Sequence, residues 1–489
     1  MTCHAALAAA CIATLAVGCA DDGGPRQPRG LAPCGTEGPT DALCGTVSVY
    51  ENRAAATGRV LRLAVVVLPA LQQVPEPDPL FFLAGGPGQG AAQMAPLVRT
   101  LFRRVHGSRD IVLVDQRGTG HSHPLECRNA SGALSALLEP DAVAVERLRA
   151  CLAAYDADVR LYTTDIAMED LDQVRERLGY DRINLYGGSY GTRAALVYLR
   201  SHGTHVRTAV LDGVAPMDMR LPLHAGRDAQ RALDKLTGAC AADAGCRRTY
   251  PALDARIGAL IRKLDAAPAH VRLAHPVSGA VEDVAIDGRA VAAVIAGALY
   301  SPITSSLLPA LVAQAERHDF QGLLALALAT DPDGGVSVGM HLSVVCSEDV
   351  SRLRDADIAQ AARESVFGRH LMSGPLEACA AWPAAHLPAA YYEPVVSDVP
   401  VLALSGDLDP VTPAVWAEQA TTRLSRVTRL TAPATGHGVA SSACGARLVH
   451  QFITDGHADR LDTSCLSAAH RPPFVLTPAG PDPSLGLAP

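Results

Sequence analysis

The chain has 489 residues, 48% of them hydrophobic, and a net charge of −8 from 42 Lys and Arg against 50 Asp and Glu. That length supplies a large core, with room for two or three units or one large α/β unit carrying insertions. The acidic balance contains no basic block, which excludes nucleic acid as a partner, because phosphate binding needs clustered Lys and Arg.

The N-terminal stretch Ala5 to Val17 is small and apolar and ends in Ala16-Val17-Gly18-Cys19. This reads as an export signal over residues 1–19, and its end resembles a bacterial lipobox with Cys19 as the lipidated residue. Ala16 stands where Leu is commoner, and the leading residues lack Lys and Arg. The alternative is an ordinary signal peptide cut near Ala20. The run is too short to span a membrane with normal flanks. The expected location is outside the cytoplasm: secreted, periplasmic, or anchored at the bacterial cell envelope through Cys19.

Of thirteen cysteines, Cys3, Cys11 and Cys19 fall in the signal, leaving an even ten. An even set in an exported chain reads as disulfides. The spacing suggests neighbours: Cys34–Cys44, Cys127–Cys151, Cys240–Cys246, Cys346–Cys379 and Cys444–Cys465. No C-x-x-C pair and no His cluster of zinc spacing occurs, so neither a metal nor a cofactor is expected.

Residues 20–33 are polar with Gly and Pro, a linker. From Cys44 the pattern becomes β. Thr46 to Tyr50 and Val60 to Leu68 flank a turn at Gly58, a hairpin signal. Leu80 to Ala84 is a short apolar strand running into Gly85-Gly-Pro-Gly-Gln-Gly90, with a helix near Gln93 to Val105. Ile111 to Asp115 is another buried strand. A helix starts at Thr163, with acidic residues in its first turns as its dipole prefers, and ends at Gly179. The strand Ile183 to Tyr186 leads into Gly187-Gly188-Ser189-Tyr190-Gly191 and an alanine-rich helix. Val206 to Leu211 follows, ending in Asp212-Gly213. Apolar strands alternating with helices predict a mostly parallel sheet covered on both faces.

Between residues 216 and 398 the strand signal fades. Helical runs near Ala225–Ala242, Leu253–Ala266 and Ala290–Leu299 predict a mainly helical cap. The sheet pattern resumes at Val399 to Ser405, with a further strand at Arg426 to Leu430 and a last helix near Ala443 to Phe452. Residues 34–215 and 399–471 are thus two parts of one core, and residues 472–489 a Pro-rich tail, extended or mobile.

Gly187 to Gly191 is a G-x-S-x-G between a strand and a helix, the context of a nucleophile elbow. A serine there needs a base, and the base needs a carboxylate to hold its tautomer. In α/β-hydrolases these follow in the order Ser, Asp, His. Asp409 lies after the resumed strand, and His437 follows 28 residues on in Gly436-His437-Gly438. The predicted triad is Ser189, Asp409 and His437, with Asp407 the rival acid. An oxyanion hole needs two converging backbone N–H groups. Tyr190, directly after the serine, and Gly86, in the loop after an early strand, are the candidates. No Gly-Lys-Ser/Thr follows that loop, so it is not a phosphate loop.

Gly85-Gly-Pro-Gly88, Asp115-Gln-Arg-Gly-Thr-Gly-His-Ser122, Asn184-Leu-Tyr-Gly-Gly-Ser-Tyr-Gly-Thr192, Val210-Leu-Asp-Gly-Val214 and Ser405-Gly-Asp-Leu-Asp-Pro-Val-Thr-Pro413 together resemble the proline iminopeptidase and tripeptidyl aminopeptidase branch of the α/β-hydrolases. The resemblance covers nearly the whole mature chain. It implies an α/β-hydrolase fold with an inserted helical cap, and release of residues from free N-termini. Where that family's loop often reads His-Gly-Gly-Pro-Gly, Ala84 replaces the histidine. The backbone donors stay, and the pocket floor changes.

Two substrate classes stay open, peptides with free N-termini and carboxylic esters, because fold and triad do not set the substrate. A free N-terminus is a cation, and burying it requires an anion nearby. In Ser343-Val-Val-Cys-Ser-Glu-Asp349 an apolar run ends in two carboxylates beside Cys346, and the segment resembles one in secreted aminopeptidases of this type. The expectation is that Glu348, with Asp349 as the alternative, binds the substrate amine. The competing reading is a solvated acidic turn.

Overall fold

Alternation along short apolar strands builds the central sheet. The computed structural model describes residues 30–35, 39–127, 134, 145–329, 335–477 and 480. The signal segment and Cys19 lie outside them. The strands are β1 (Ala32–Pro33), β2 (Leu43–Tyr50), β3 (Val60–Leu68), β4 (Leu80–Leu83), β5 (Ile111–Val114), β6 (Ile183–Gly188), β7 (Val206–Asp212), β8 (Ala269–Ala274), β9 (Val281–Ile286), β10 (Val401–Gly406) and β11 (Val427–Ala432). Nine of them form one sheet in the order β1-β2-β3-β5-β4-β6-β7-β10-β11. The pairs β1/β2, β2/β3 and β3/β5 are antiparallel, and every pair from β5 to β11 is parallel.

Successive side chains of a strand face opposite ways. Phe81, Val112, Leu185 and Leu211 join a core on one face, under the helices Thr164–Leu178 and Tyr190–His202. Their neighbours Phe82, Leu113, Tyr186 and Val210 join a core on the other, with Val98, Phe102 and Phe452. Strands covered on both faces must be apolar at every position, which is why they read as continuous runs.

The insertion between β7 and β10 has its own core around Leu236, Ile261, Ile295 and Leu324. Its helices Ala225–Ala242 and Leu253–Ala266 match the sequence reading residue for residue, and Gly288–Ala298 is close to it. Two corrections apply to the cap. β8 and β9 form an antiparallel hairpin inside it, turning at residues 275–280, in the stretch where the strand signal of the sequence fades. From Val338 onward the chain turns back to the sheet, and Met340, Val344, Cys346, Trp382 and Tyr391 pack into the core under β6 and β7. Phe367 is nevertheless buried in the cap core, so residues 338–398 contribute to both cores.

Both flanking segments are also more ordered than expected. The linker assigned to residues 20–33 ends in β1, which pairs with Leu43 and Cys44. The tail assigned to 472–489 is docked through its described part. Phe474 is buried against the cap core, the Val475 N–H donates to the Ser306 carbonyl at 3.3 Å, and the Tyr250 hydroxyl donates to the carbonyls of Val475 and Leu476. All five disulfides join the cysteines paired by spacing.

Candidate active site

The C-terminal ends of the parallel strands carry the site, as open α/β sheets dictate. The loop Gly85–Gly90 follows β4, Ser189 follows β6, Asp212 ends β7, Asp409 follows β10, and His437 follows β11. Ser189 has φ 54° and ψ −123°, a strained conformation for a residue with a side chain, held by the strand before it and the helix after it. Its N–H donates to the Asp212 carbonyl at 2.9 Å, and its carbonyl accepts the Thr192 hydroxyl at 2.6 Å. The helix start presses against β4. A Cβ at Gly191 would run into the Leu83 carbonyl, so glycine is required for that approach. The Gly85 loop lies against the serine, and Gly86, Ser189 and Tyr190 share the wall of one cavity.

Asp409, not Asp407, meets His437. The His437 Nδ1–H donates to Asp409 Oδ2 at 2.8 Å. The Val411 and Thr412 N–H groups both donate to Asp409 Oδ1 at 2.8 Å, and the Thr412 hydroxyl donates to Oδ2 at 2.7 Å. Asp407 instead accepts the Thr435 N–H and faces Lys235. Burial pushes the Asp409 carboxyl up, but the His437 charge and these hydrogen bonds outweigh it and leave it below its ordinary value. Burial pushes the His437 imidazole down. The charge and hydrogen bond of Asp409, with Asp212 adding to them, leave it raised. With Nδ1 holding the proton toward Asp409, Nε2 is the basic nitrogen. The cap reaches this loop directly: the His437 N–H donates to the Tyr300 carbonyl at 2.9 Å, and the two rings meet edge-on at 5.2 Å.

The cavity holds about 280 Å³ between the core and the cap. Met219, Leu221, Ala229, Val294 and Val411 give it an apolar wall, with Arg193, His341, Tyr300 and Thr412 as polar features. Glu348 and Asp349 do not line it, which corrects the expectation that one of them binds a substrate amine. Both are 0% exposed, in a π-helical turn at Val345–Asp349. Arg193 lies between them and the cavity. Its Nη1 donates to Glu348 at 3.2 Å and to Asp349 at 3.1 Å, and its Nη2 to Asp349 at 3.1 Å. Glu348 also accepts the Thr164 N–H and the Tyr391 hydroxyl. Asp349 Oδ1 also lies 3.5 Å from the Arg352 guanidinium, so the two carboxylates already share two internal cations. Burial works against the charge of Arg193, and the fields of Asp349 and Glu348 outweigh it, so its pKa is raised.

The sequence reading missed Arg193, Thr412 and His341. Arg193 stands four residues after Ser189, hence on the same helix face, and that spacing was the signal. Thr412 lies three residues after Asp409, the spacing at which a hydroxyl can reach back. His341, whose Nδ1 is 3.1 Å from the Pro87 carbonyl, had no local signal.

Comparison with known proteins agrees with this fold. The family model described as alpha/beta hydrolase fold matches residues 78–239, and the one described as TAP-like protein matches residues 364–465. The strand order, the serine turn and the acid–histidine pair define an α/β-hydrolase of the serine-hydrolase kind. The chain belongs to that superfamily, in the peptidase branch that carries the TAP-like C-terminal portion. It is 26% identical over 432 residues to the serine protease Hip1 of Mycobacterium tuberculosis, covering 79% of this chain and 81% of that protein. It is 31% identical over 140 residues to the proline iminopeptidase of Neisseria gonorrhoeae, covering 29% of this chain and 34% of the relative. A tripeptidyl aminopeptidase of Streptomyces coelicolor is 30% identical over 192 residues, 36% of each chain.

Proposed function

We propose that this chain is an exported serine peptidase of aminopeptidase type, releasing proline or short peptides from N-termini through an acyl-enzyme on Ser189. The observation that carries the reading is the 2.8 Å bond between Asp409 and His437, together with a serine held at φ 54° on the cavity wall. In the proposed reaction His437 Nε2 takes the Ser189 Oγ proton as Oγ attacks the scissile carbonyl carbon. The N–H groups of Gly86 and Tyr190 receive the oxyanion. His437 then gives its proton to the leaving amine, the C–N bond breaks, and Ser189 carries the acyl group. Water, deprotonated by the same nitrogen, attacks that ester and frees Ser189.

The names of the relatives support peptides as substrates, and two of them are aminopeptidases by name. Five disulfides and the apolar N-terminal stretch support export, with attachment to the envelope through Cys19 as its lipid-anchored form. Hydrolysis of neutral carboxylic esters is the second reading. It is favoured by the mainly apolar cavity wall, where no carboxylate appears among the described lining residues.

Ser189→Ala is expected to stay folded, to lose labelling by a fluorophosphonate, and to keep only the ~10³–10⁴-fold catalysis over water that a site without its nucleophile retains. Wild-type turnover in that variant would end the reading. Prolyl, alanyl and tripeptidyl anilides separate the two substrate classes. Cleavage of free-amine anilides, with N-acetylated ones untouched, supports the aminopeptidase, and preference for a small neutral ester supports the second reading.

A further inference from the structure

The motif Val210-Leu-Asp-Gly-Val214 has no part in the reaction just described, yet it lies between its two principal groups. Asp212 is the last residue of β7 and only 1% exposed. Its Oδ1 accepts the Val439 N–H, and its Oδ2 accepts the Ala440 N–H, each at 2.8 Å. The Tyr186 hydroxyl donates to Oδ2 at 2.8 Å. Val439 and Ala440 are two and three residues beyond His437. The carbonyl of the same Asp212 accepts the N–H of Ser189 at 2.9 Å. One residue thus holds the serine turn by its backbone and the histidine loop by its side chain.

The following residue brings the strand end against the ring. Gly213 has φ +70°, and a Cβ there would stand 2.9 Å from Thr412 Oγ1 and 3.1 Å from His437 Cε1. The groups that face His437 are Asp409 and Thr412 from the loop after β10, Asp212 from β7, and the Tyr300 ring from the cap. Tyr186 faces Asp212 from β6.

We propose that Asp212 is a positioning residue, which fixes Ser189 and His437 relative to each other and stands as a second anion beside the imidazolium. This rests on the catalytic reading of Ser189 and His437. Two effects follow from opposite changes. Asp212→Asn removes the charge and replaces one acceptor by an N–H₂ that opposes a backbone N–H. Tyr186→Phe keeps the charge and both backbone bonds but strips a donor from Oδ2. Burial already pushes the Asp212 carboxyl up, so losing that donor makes it protonate at higher pH.

The measurement is the rate of fluorophosphonate labelling of Ser189 across pH, with circular dichroism to verify folding. In Asp212→Asn the rate is expected to fall about 10- to 100-fold, less than the ~10²–10⁴-fold of losing the general base itself, and the acid limb to move to lower pH, because an anion beside the imidazolium is gone. In Tyr186→Phe the limb is expected to move to higher pH, because the ionised Asp212, no longer partly neutralised by a hydroxyl donor, acts more strongly on the imidazolium. A structural role alone would not give shifts of opposite sign. If Asp212→Asn does not fold, the direction of the Tyr186→Phe shift decides. Folded variants with acid limbs where the wild type has its own would overturn the role of Asp212. A wild type that does not label at Ser189 would overturn the catalytic reading instead.

Discussion

Asp409 takes four hydrogen bonds, and the Thr412 hydroxyl is the one that a substitution can remove without disturbing the loop backbone. Thr412→Val keeps the shape. A hydrogen bond to a charged group contributes ~1.5–3 kcal/mol, and 1.36 kcal/mol is tenfold in rate. The expected result is a kcat about tenfold lower with KM little changed, read by steady-state kinetics; an unchanged kcat would show that the two backbone donors hold Asp409 unaided. The raised proton affinity of His437 sets the pH profile. The neutral base appears only above the ordinary imidazole range near ~6.5, so kcat/KM rises with pH through that raised value. The stability contributed by protonated His437 has the opposite trend: full below the unfolded value and lost as pH climbs through the folded one. The pairing of Asp409 with His437 was legible because each lies in the loop after a strand of the resumed sheet, in the chain order of the fold. The fate of Glu348 was not legible. Its cation, Arg193, lies 155 residues away, and no local spacing records a partner across that separation.

At the scale of elements, the helix after Ser189 is bolted to the turn at Val345–Asp349 by Arg193, and that turn is tied to the helix His370–Ala381 by Cys346–Cys379. Removing one partner of a buried ion pair leaves uncompensated charge and costs ~3–5 kcal/mol. Arg193→Met is therefore expected to lower the unfolding free energy by about that amount, seen as a lower urea midpoint followed by far-UV circular dichroism. A midpoint equal to wild type would mean that water reaches the two carboxylates. The parallel strands were legible to within two residues at each end, because burial on both faces makes all but the edge strand β11 largely apolar. The β8–β9 hairpin was not. It exposes His270, Arg272, Asp283 and Ala285 along one side, and its short half-polar segments between alanine-rich helices carry little periodic signal. The return of residues beyond Val338 to the sheet was hidden for another reason. A helix packs against a cap or a sheet with the same apolar stripe.

At the scale of the molecule, the cap is held at several points. Its Tyr300 carbonyl receives the His437 N–H, and the C-terminal tail crosses onto it through Phe474 and Val475. Burying an aromatic ring and then removing it costs ~3–5 kcal/mol. Phe474→Ala is expected to lower stability toward that range and to speed hydrogen exchange in the helix Leu253–Ala266 before the sheet strands. Uniform loss of protection across cap and sheet would show that the two melt as one unit. Each of the five disulfides among the described residues joins a cysteine to the next one along the mature chain, across 6 to 33 residues. Under the proposed export, a polypeptide threaded through a membrane amino end first presents every thiol with its proper mate before a rival has emerged. Bonds made in that order are native when made, so maturation needs an oxidant at the exit and no enzyme to reshuffle mistakes.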